Sequence, residues 1–273
     1  MRRDVLLVIG VGGMGAAIAR RLGPGRTVLL ADRDDDALHT VAAALADAGH
    51  HVETHAVDVS SADSVTALAE AATGLGDLTH IAHTAGLSPA QADTAAILAV
   101  DLLGVALVLD AFGETVAPGG AGVVVASMAG RLFPALPAEQ AHALAHTPAD
   151  ELLRLPFLRP PELTDPGHAY GVAKQANMIR VQAAAAAWGR RGARINSLSP
   201  GIISTPMGQQ ELSAANGEGV RAMIEASATG RAGTPDDIAA AAAYLLGPES
   251  AFVTGTDLLV DGGVTASVLA GSG

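Results

Sequence analysis

Two groups of residues in this 273-residue chain have types and spacings that could do chemistry. The first is Tyr170-Gly171-Val172-Ala173-Lys174, which sets a phenol and an ammonium four residues apart. Residues at that offset share one face of a helix. A Tyr phenol ordinarily titrates at about 10, and an adjacent ammonium stabilises the phenolate, so the pair suits proton transfer near neutrality. Lys174 is the chain's only lysine, and Tyr170 is one of two tyrosines. The plainer reading is an exposed helical pair that contributes a few tenths of a kcal/mol.

The second group is Gly10-Val11-Gly12-Gly13-Met14-Gly15, a G-x-G-x-x-G pattern. It follows an apolar run at 5–9 and opens a helix-compatible pattern at 13–22, with Met14, Ala17, Ile18 and Leu22 on one side. That context is what a dinucleotide-binding turn requires. Glycines let the backbone approach a pyrophosphate, and the helix N-terminus supplies free N–H groups and positive potential. Asp32 lies 22 residues after Gly10, where a ribose-binding acid is expected. Its carboxylate would accept from both ribose hydroxyls and repel a 2′-phosphate, whereas Arg33 would favour that phosphate. Asp32 holds the more discriminating position, so NAD is expected ahead of NADP. Asp34, Asp35 and Asp36 read as a helix start.

The elements around these residues alternate. Strand-like runs fall at 5–9, 27–31, 51–57, 78–83, 122–127, 194–198 and 257–260. Helical patterns fall at 13–22, 34–48, 61–73, 94–116, 170–188 and 235–246. This rhythm predicts an α/β fold of the doubly wound type, a mainly parallel seven-stranded sheet with helices on both faces, spanning 1–273 as one domain. Residues 131–166 break the rhythm with seven prolines, yet carry Leu144, Leu152, Leu153, Leu155, Phe157 and Leu158. Short helices are expected near 138–146 and 149–155. The segment is either a surface insertion packing its own leucines or a lid over a site.

Composition excludes several classes. The chain carries 49% hydrophobic and 16% charged residues, enough for a large core, and 3% aromatics, so that core is aliphatic. A net charge of −12 disfavours nucleic-acid or anionic-membrane partners. There is no cysteine, hence no disulfide, thiol nucleophile or Cys-based metal site. No uninterrupted apolar stretch reaches the roughly 18 residues that span a bilayer, and no leader is apparent, so a soluble cytoplasmic protein is expected. His142 and His146 are spaced i, i+4 but have no evident third ligand, so no metal is expected. The small residues at 183–187 would let that helix pack closely.

These motifs together resemble the short-chain dehydrogenase/reductase family over most of the chain. Asp58-Val59 resembles its adenine-contacting pair, and Thr84-Ala85-Gly86 the end of its N-N-A-G motif, with His83 at the first Asn. Ser127, in Val125-Ala126-Ser127-Met128-Ala129-Gly130, sits where the family keeps its catalytic Ser. Pro200-Gly201-Ile202-Ile203-Ser204-Thr205 resembles its nicotinamide-side loop, and Asp261-Gly262-Gly263 its C-terminal signature. The resemblance implies an NAD(P)-dependent enzyme that interconverts a secondary alcohol and a ketone. Tyr170 would move the proton, Lys174 would bind the nicotinamide ribose, and Ser127 would hold the substrate oxygen. Ile203 and Thr205 would hold the carboxamide or phosphates. It also implies a homodimer or homotetramer through the 170–190 helix, and an apolar substrate fits the Leu-rich segment.

Three departures stand out. Asp101 occupies the place of the family's catalytic Asn, adding a negative charge near Lys174. Ser127 and Tyr170 are 43 residues apart, so 131–166 reads as an enlarged insertion between them, and its place between two catalytic residues favours a lid. The glycine loop is one residue shorter, with Ile9 in place of Thr. The rival reading is a dinucleotide-binding sensor or scaffold without turnover, favoured by Asp101 and disfavoured by Ser127, Tyr170 and Lys174. Enoyl reduction is disfavoured by the four-residue Tyr–Lys offset.

Overall fold

The structure, a computed structural model, describes residues 3–213 and 217–271. Seven strands, β1 (Asp4–Ile9), β2 (Thr27–Asp32), β3 (His51–Ala56), β4 (Asp77–His83), β5 (Ala121–Val125), β6 (Arg194–Pro200) and β7 (Asp257–Val260), form one sheet. Their order is β3-β2-β1-β4-β5-β6-β7, and every pairing is parallel. Strands covered on both faces read as continuous apolar runs. Accordingly Val5 to Ile9 and all of β5 are buried, while the edge strand β3 has only exposed and half-buried residues.

Thirteen α-helices accompany the strands among the described residues. The first five are α1 (Gly13–Leu22), α2 (Asp35–Asp47), α3 (Ala62–Leu75), α4 (Thr94–Ile97) and α5 (Gly104–Thr115). Next come α6 (Ala129–Leu132), α7 (Ala138–His146), α8 (Ala149–Leu152) and α9 (Pro166–Arg190). The last four are α10 (Pro206–Ser213), α11 (Gly217–Ala226), α12 (Pro235–Leu246) and α13 (Val264–Gly271). One face of the sheet carries α3, α5 and α9, packed through Leu68, Phe112, Val181 and the buried Trp188. The other carries α1, α2 and α12, packed through Ile18, Leu38, Ile238 and Leu245. Asp34 caps α2, Ser61 caps α3, Asp165 caps α9, and Thr234 with Asp237 forms a capping box on α12.

Several expected boundaries move. The helix expected at 94–116 contains a π-helical stretch, Leu98–Leu103, between α4 and α5. By length and composition the Thr94–Thr115 helix could cross a membrane, with hydropathy 2.2. Its apolar residues instead join the core: Val105, Val108 and Phe112 face the sheet. The strand expected at 122–127 ends at Val125, which leaves Ser127 in the loop beyond it. Helices α10, α11 and α13 lie where the sequence reading assigned no element.

Segment 131–166 contains α7 and α8 and packs inward. Leu144, Leu152, Leu158 and Leu163 are buried against Ile97, Leu102, Val172 and Ala176. Two buried polar side chains of α9 hold it there. Gln175 Nε2 donates to the carbonyls of Phe133 and Pro134, and its Oε1 accepts from Leu136 N–H. Arg180 donates to the carbonyls of Leu144 (2.8 Å) and Thr147 (3.1 Å), which closes the C-terminus of α7. If the segment is part of the core, Leu144→Ala is expected to cost about 2–4 kcal/mol. The readout is a lower urea midpoint at an unchanged slope; a loss below about 0.5 kcal/mol would place the segment outside the core.

Candidate active site

The sheet order reverses between β1 and β4, and the crevice above such a reversal is where open α/β sheets bind ligands. Gly10 leaves β1 with φ +91°, and a Cβ there would overlap the backbone of Ala85. Only glycine fits this turn. The loop is tied down by Thr84, whose Oγ1 donates to the carbonyl of Gly10 at 2.6 Å. The helix it opens, α1, is capped at Gly12 by no side chain and has no acid in its first turn. A Cβ on Gly12 would meet nothing within 4 Å. Uncapped N–H groups facing open space at a positive helix end suit a phosphate.

Asp32 ends β2 beside this turn. Its Oδ2 accepts from Val11 N–H at 2.8 Å and its Oδ1 from Asp34 N–H at 3.1 Å. Both oxygens retain free lone pairs on the cavity side for hydroxyl donors. Arg33 is exposed next to it. The Asp58 carboxylate accepts from Ser60 N–H and Ser60 Oγ, which hold it below the usual carboxylate range. A cavity of about 440 Å³ joins these parts, lined by Gly10, Gly12, Gly13, Met14 and Gly15 on one side. Asp32, Arg33, Asp58, Val59, Thr84 and Ala85 line the rest. The donors, the open glycine backbone and the terminal acid fit a dinucleotide.

A second cavity of about 520 Å³ shares Met14, Thr84, Gly86, Leu87, Thr205 and Met207 with the first. Ser127, Tyr170, Lys174, Pro200, Gly201 and Ile203 also line it. Ser127 sits just past β5, and its Oγ accepts from Ala129 N–H at 3.1 Å. Thr205 reaches across to the glycine loop: a Cβ on Gly13 would lie 3.0 Å from its methyl. Tyr170 and Lys174 follow one another along α9. Lys174 is 4% exposed; its ammonium donates to the carbonyl of Val125 at 3.4 Å and stands 5.4 Å from the Tyr170 ring centre.

Asp101 lines neither cavity. It lies behind Lys174 in the π-helical stretch, whose wider turn directs its side chain inward. Its Oδ1 accepts from Leu87 N–H at 2.9 Å and is 3.9 Å from Lys174 Nζ. A Cβ on Gly86 would fall 2.8 Å from that oxygen and 3.3 Å from Nζ, so residue 86 must be glycine for the pair to meet beneath the loop. Burial pushes the Asp101 carboxyl up to about 6, against the opposing pull of Lys174 and the Leu87 N–H. His83, at the end of β4, is 1% exposed, and burial first and Lys174 second push it down to about 3, so its ring is neutral. Neither of its nitrogens has a protein partner, nor has Asp101 Oδ2. Such buried atoms are ordinarily satisfied by ordered water.

Every residue that the sequence reading assigned to the site lines one of the two cavities, apart from Asp101 behind Lys174. That reading missed Leu87, whose N–H holds Asp101, and Phe133, which lines the second cavity. Phe133 carried one weak signal: it is one of four phenylalanines, six residues after Ser127. The rings of His142 and His146 lie 4.5 Å apart within α7, tilted 58° to each other, and line neither cavity. No cluster of three or more potential metal ligands occurs among the described residues.

Comparison with known proteins places this geometry. Residues 4–138 match the short chain dehydrogenase family, and residues 161–265 match the family described as Enoyl-(Acyl carrier protein) reductase. The chain is 44% identical to the short-chain dehydrogenase/reductase bsc3 of Alternaria brassicicola, over 97% of each chain. It is 32% identical to the D-threitol dehydrogenase of Mycolicibacterium smegmatis, over 96% of this chain and 92% of that one. Among solved structures, an actinorhodin polyketide ketoreductase variant with NADPH superposes with a TM-score of 0.76 at 24% identity, over 96% and 97% of the two chains.

The buried carboxyl gives a stability test. The folded chain binds the Asp101 proton more tightly than the unfolded chain, where Asp titrates at about 4. The group therefore costs nothing below about pH 4 and destabilises the fold as pH rises through about 6. Asp101→Asn keeps an acceptor for Leu87 N–H and removes the ionisation. It is expected to be more stable than wild type by about 1–3 kcal/mol at pH 8 and equal to it near pH 4, measured by urea unfolding at both pH values.

Proposed function

The chain belongs to the short-chain dehydrogenase/reductase family, and from that premise we propose that it oxidises a secondary alcohol, or reduces the matching ketone, with NAD as the preferred cofactor. The observation that carries this reading is the meeting of Ser127, Tyr170 and Lys174 in one cavity that opens onto the glycine loop and Asp32. A nicotinamide cofactor, held by the Gly10–Gly15 turn, Asp32 and Thr205, would supply the hydride acceptor or donor.

The chain's own groups divide the remaining work. Ser127 Oγ, fixed by the Ala129 N–H, donates to the substrate oxygen and balances charge developing there. The Tyr170 hydroxyl gives that oxygen a proton in reduction and takes it in oxidation. When the proton leaves, Lys174 stabilises the negative phenol oxygen, and its ammonium is in turn held by Asp101 and the Val125 carbonyl. Leu87, Met14 and Ile203 line the same cavity and limit water at the reacting atoms. The D-threitol dehydrogenase relative, named for a polyol, supports an alcohol substrate.

Cofactor choice follows from charge. Asp32 and Asp58 face the ribose end with two carboxylates against one exposed guanidinium, Arg33. That balance favours a free 2′-hydroxyl over a 2′-phosphate, hence NAD over NADP. Enoyl reduction is the activity named by the family matching residues 161–265. The Tyr170–Lys174 offset on one helix face, with Ser127 in the same cavity, favours an oxygen-centred proton transfer instead. The segment between Ser127 and Tyr170 is read as enlarged for this family, with its start serving as a cover over the site.

Two experiments test the reading. Tyr170→Phe is expected to lower kcat by roughly 10²–10⁴-fold in a ketone and alcohol screen while NADH binding, measured by calorimetry, stays unchanged. Asp32→Ala is expected to weaken NADH binding roughly ten- to a hundredfold and to narrow the gap to NADPH. Tighter wild-type binding of NADPH than of NADH would move the ribose contact from Asp32 to Arg33. Failure to bind either cofactor would sink the dehydrogenase reading and the dinucleotide-binding rival with it.

A further inference from the structure

The substrate end of the second cavity is formed by residues that the first cavity does not share, among them Pro89, Ala90, Met128, Phe133 and Val220. All five are apolar. Lys174 is the only charged side chain that lines this cavity among the described residues, and its ammonium is already engaged by Asp101 and the Val125 carbonyl. No cation is free to meet an anionic group on a substrate, and an unpaired charge would lose its water on entry.

Phe133 is the one aromatic residue among these five, and it is held in place. Its N–H donates to the carbonyl of Ala129 at 3.0 Å, and its carbonyl accepts from Gln175 Nε2 at 3.3 Å. Its ring lies nearly parallel to His168, 15° between planes and 6.1 Å between centres. It also rests on Gly171, where a Cβ would come within 2.5–2.7 Å of three ring carbons. Gly171 directly follows Tyr170, so the ring is seated beside the proton-transferring phenol. Among residues 131–166, Phe133 alone lines the cavity. An aromatic ring fixed by backbone bonds offers a rigid apolar wall at little entropic cost.

Resting on the dehydrogenase reading above, we infer that Phe133 determines specificity and that the substrate is an uncharged cyclic alcohol or ketone whose ring packs against Phe133 while its oxygen meets Ser127 and Tyr170. The packing surface comes from one backbone segment and the reacting groups from others. Phe133 is thus a binding determinant for the ring and takes no part in the proton transfer.

The test uses the full chain with bound NADH. Cyclohexanone is compared with acetone and with 4-oxocyclohexanecarboxylate, which has the same ring and one added charge, in steady-state reduction. Binding of each ketone is measured separately by calorimetry on the cofactor complex. Wild type is expected to bind cyclohexanone on the order of a hundredfold more tightly than its carboxylate analogue. Phe133→Ala is expected to raise KM and the dissociation constant for cyclohexanone about tenfold, the scale of one lost aromatic contact, with kcat and the acetone KM within about twofold. Phe133→Leu, which keeps an apolar wall, is expected to recover part of the loss, and NADH affinity reports that either variant is folded. Equal binding of the two cyclic ketones, or equal KM changes for acetone and cyclohexanone, overturns the inference. A wild type that binds NADH and cyclohexanone but reduces no ketone would instead sink the dehydrogenase reading, while the binding comparison still decides the role of Phe133.

Discussion

A single ammonium taken out of water organises the centre of this molecule. Lys174 is nearly buried, and an isolated charge at such depth is held only if neighbouring groups replace its hydration. Two groups replace that water, and a third feature lets them meet the ammonium. The Val125 carbonyl is free to accept because β5 ends there. The Asp101 carboxylate reaches inward because a π turn interrupts the helix between α4 and α5. The loop above can close over the pair because residue 86 has no side chain. The π turn, the missing Cβ and the strand terminus are thus three local irregularities that answer one electrostatic demand. The arrangement is asymmetric, since burial holds the Asp101 carboxyl up at about 6 despite the cation beside it.

Much of this was legible in the sequence, for identifiable reasons. Strands covered on both faces are mostly apolar, so β1, β2 and β5 were visible as runs, and the half-buried β7 fell at its expected bounds. The glycine turn, Asp32 and the Tyr170–Lys174 pair were legible because their spacing follows from local geometry: a helix face, a strand end, a tight turn. Ser127 was located by resemblance, and the loop after β5 brings it into the cavity with Tyr170.

What was not legible depends on partners distant in sequence. The π turn has no composition signal, and the contacts of Asp101 within it, with Leu87 and Lys174, come from distant parts of the chain. The leucines of residues 131–166 could have covered a surface or joined the core, and the choice is made by Gln175 and Arg180 more than thirty residues later. Phe133 looked like an ordinary apolar residue until Gly171 was found beneath its ring. Helix α10 has too few apolar positions to stand out from a polar loop.

Helix α9 is one continuous 25-residue rod, and several duties fall on it. Tyr170 and Lys174 project from its first half into the reaction cavity, Gln175 and Arg180 grip the segment that carries Phe133, and Trp188 anchors its far end under α5. On the proposed reading, chemistry and substrate wall are referenced to the same beam but built on separate stretches of backbone. Such a layout lets the wall be rebuilt, by exchange or resizing of one aromatic side chain, without re-aiming the proton donor. For a lineage exploring new substrates, this is a modular division: the beam stays as the datum, and diversity is gathered at its clamped neighbour.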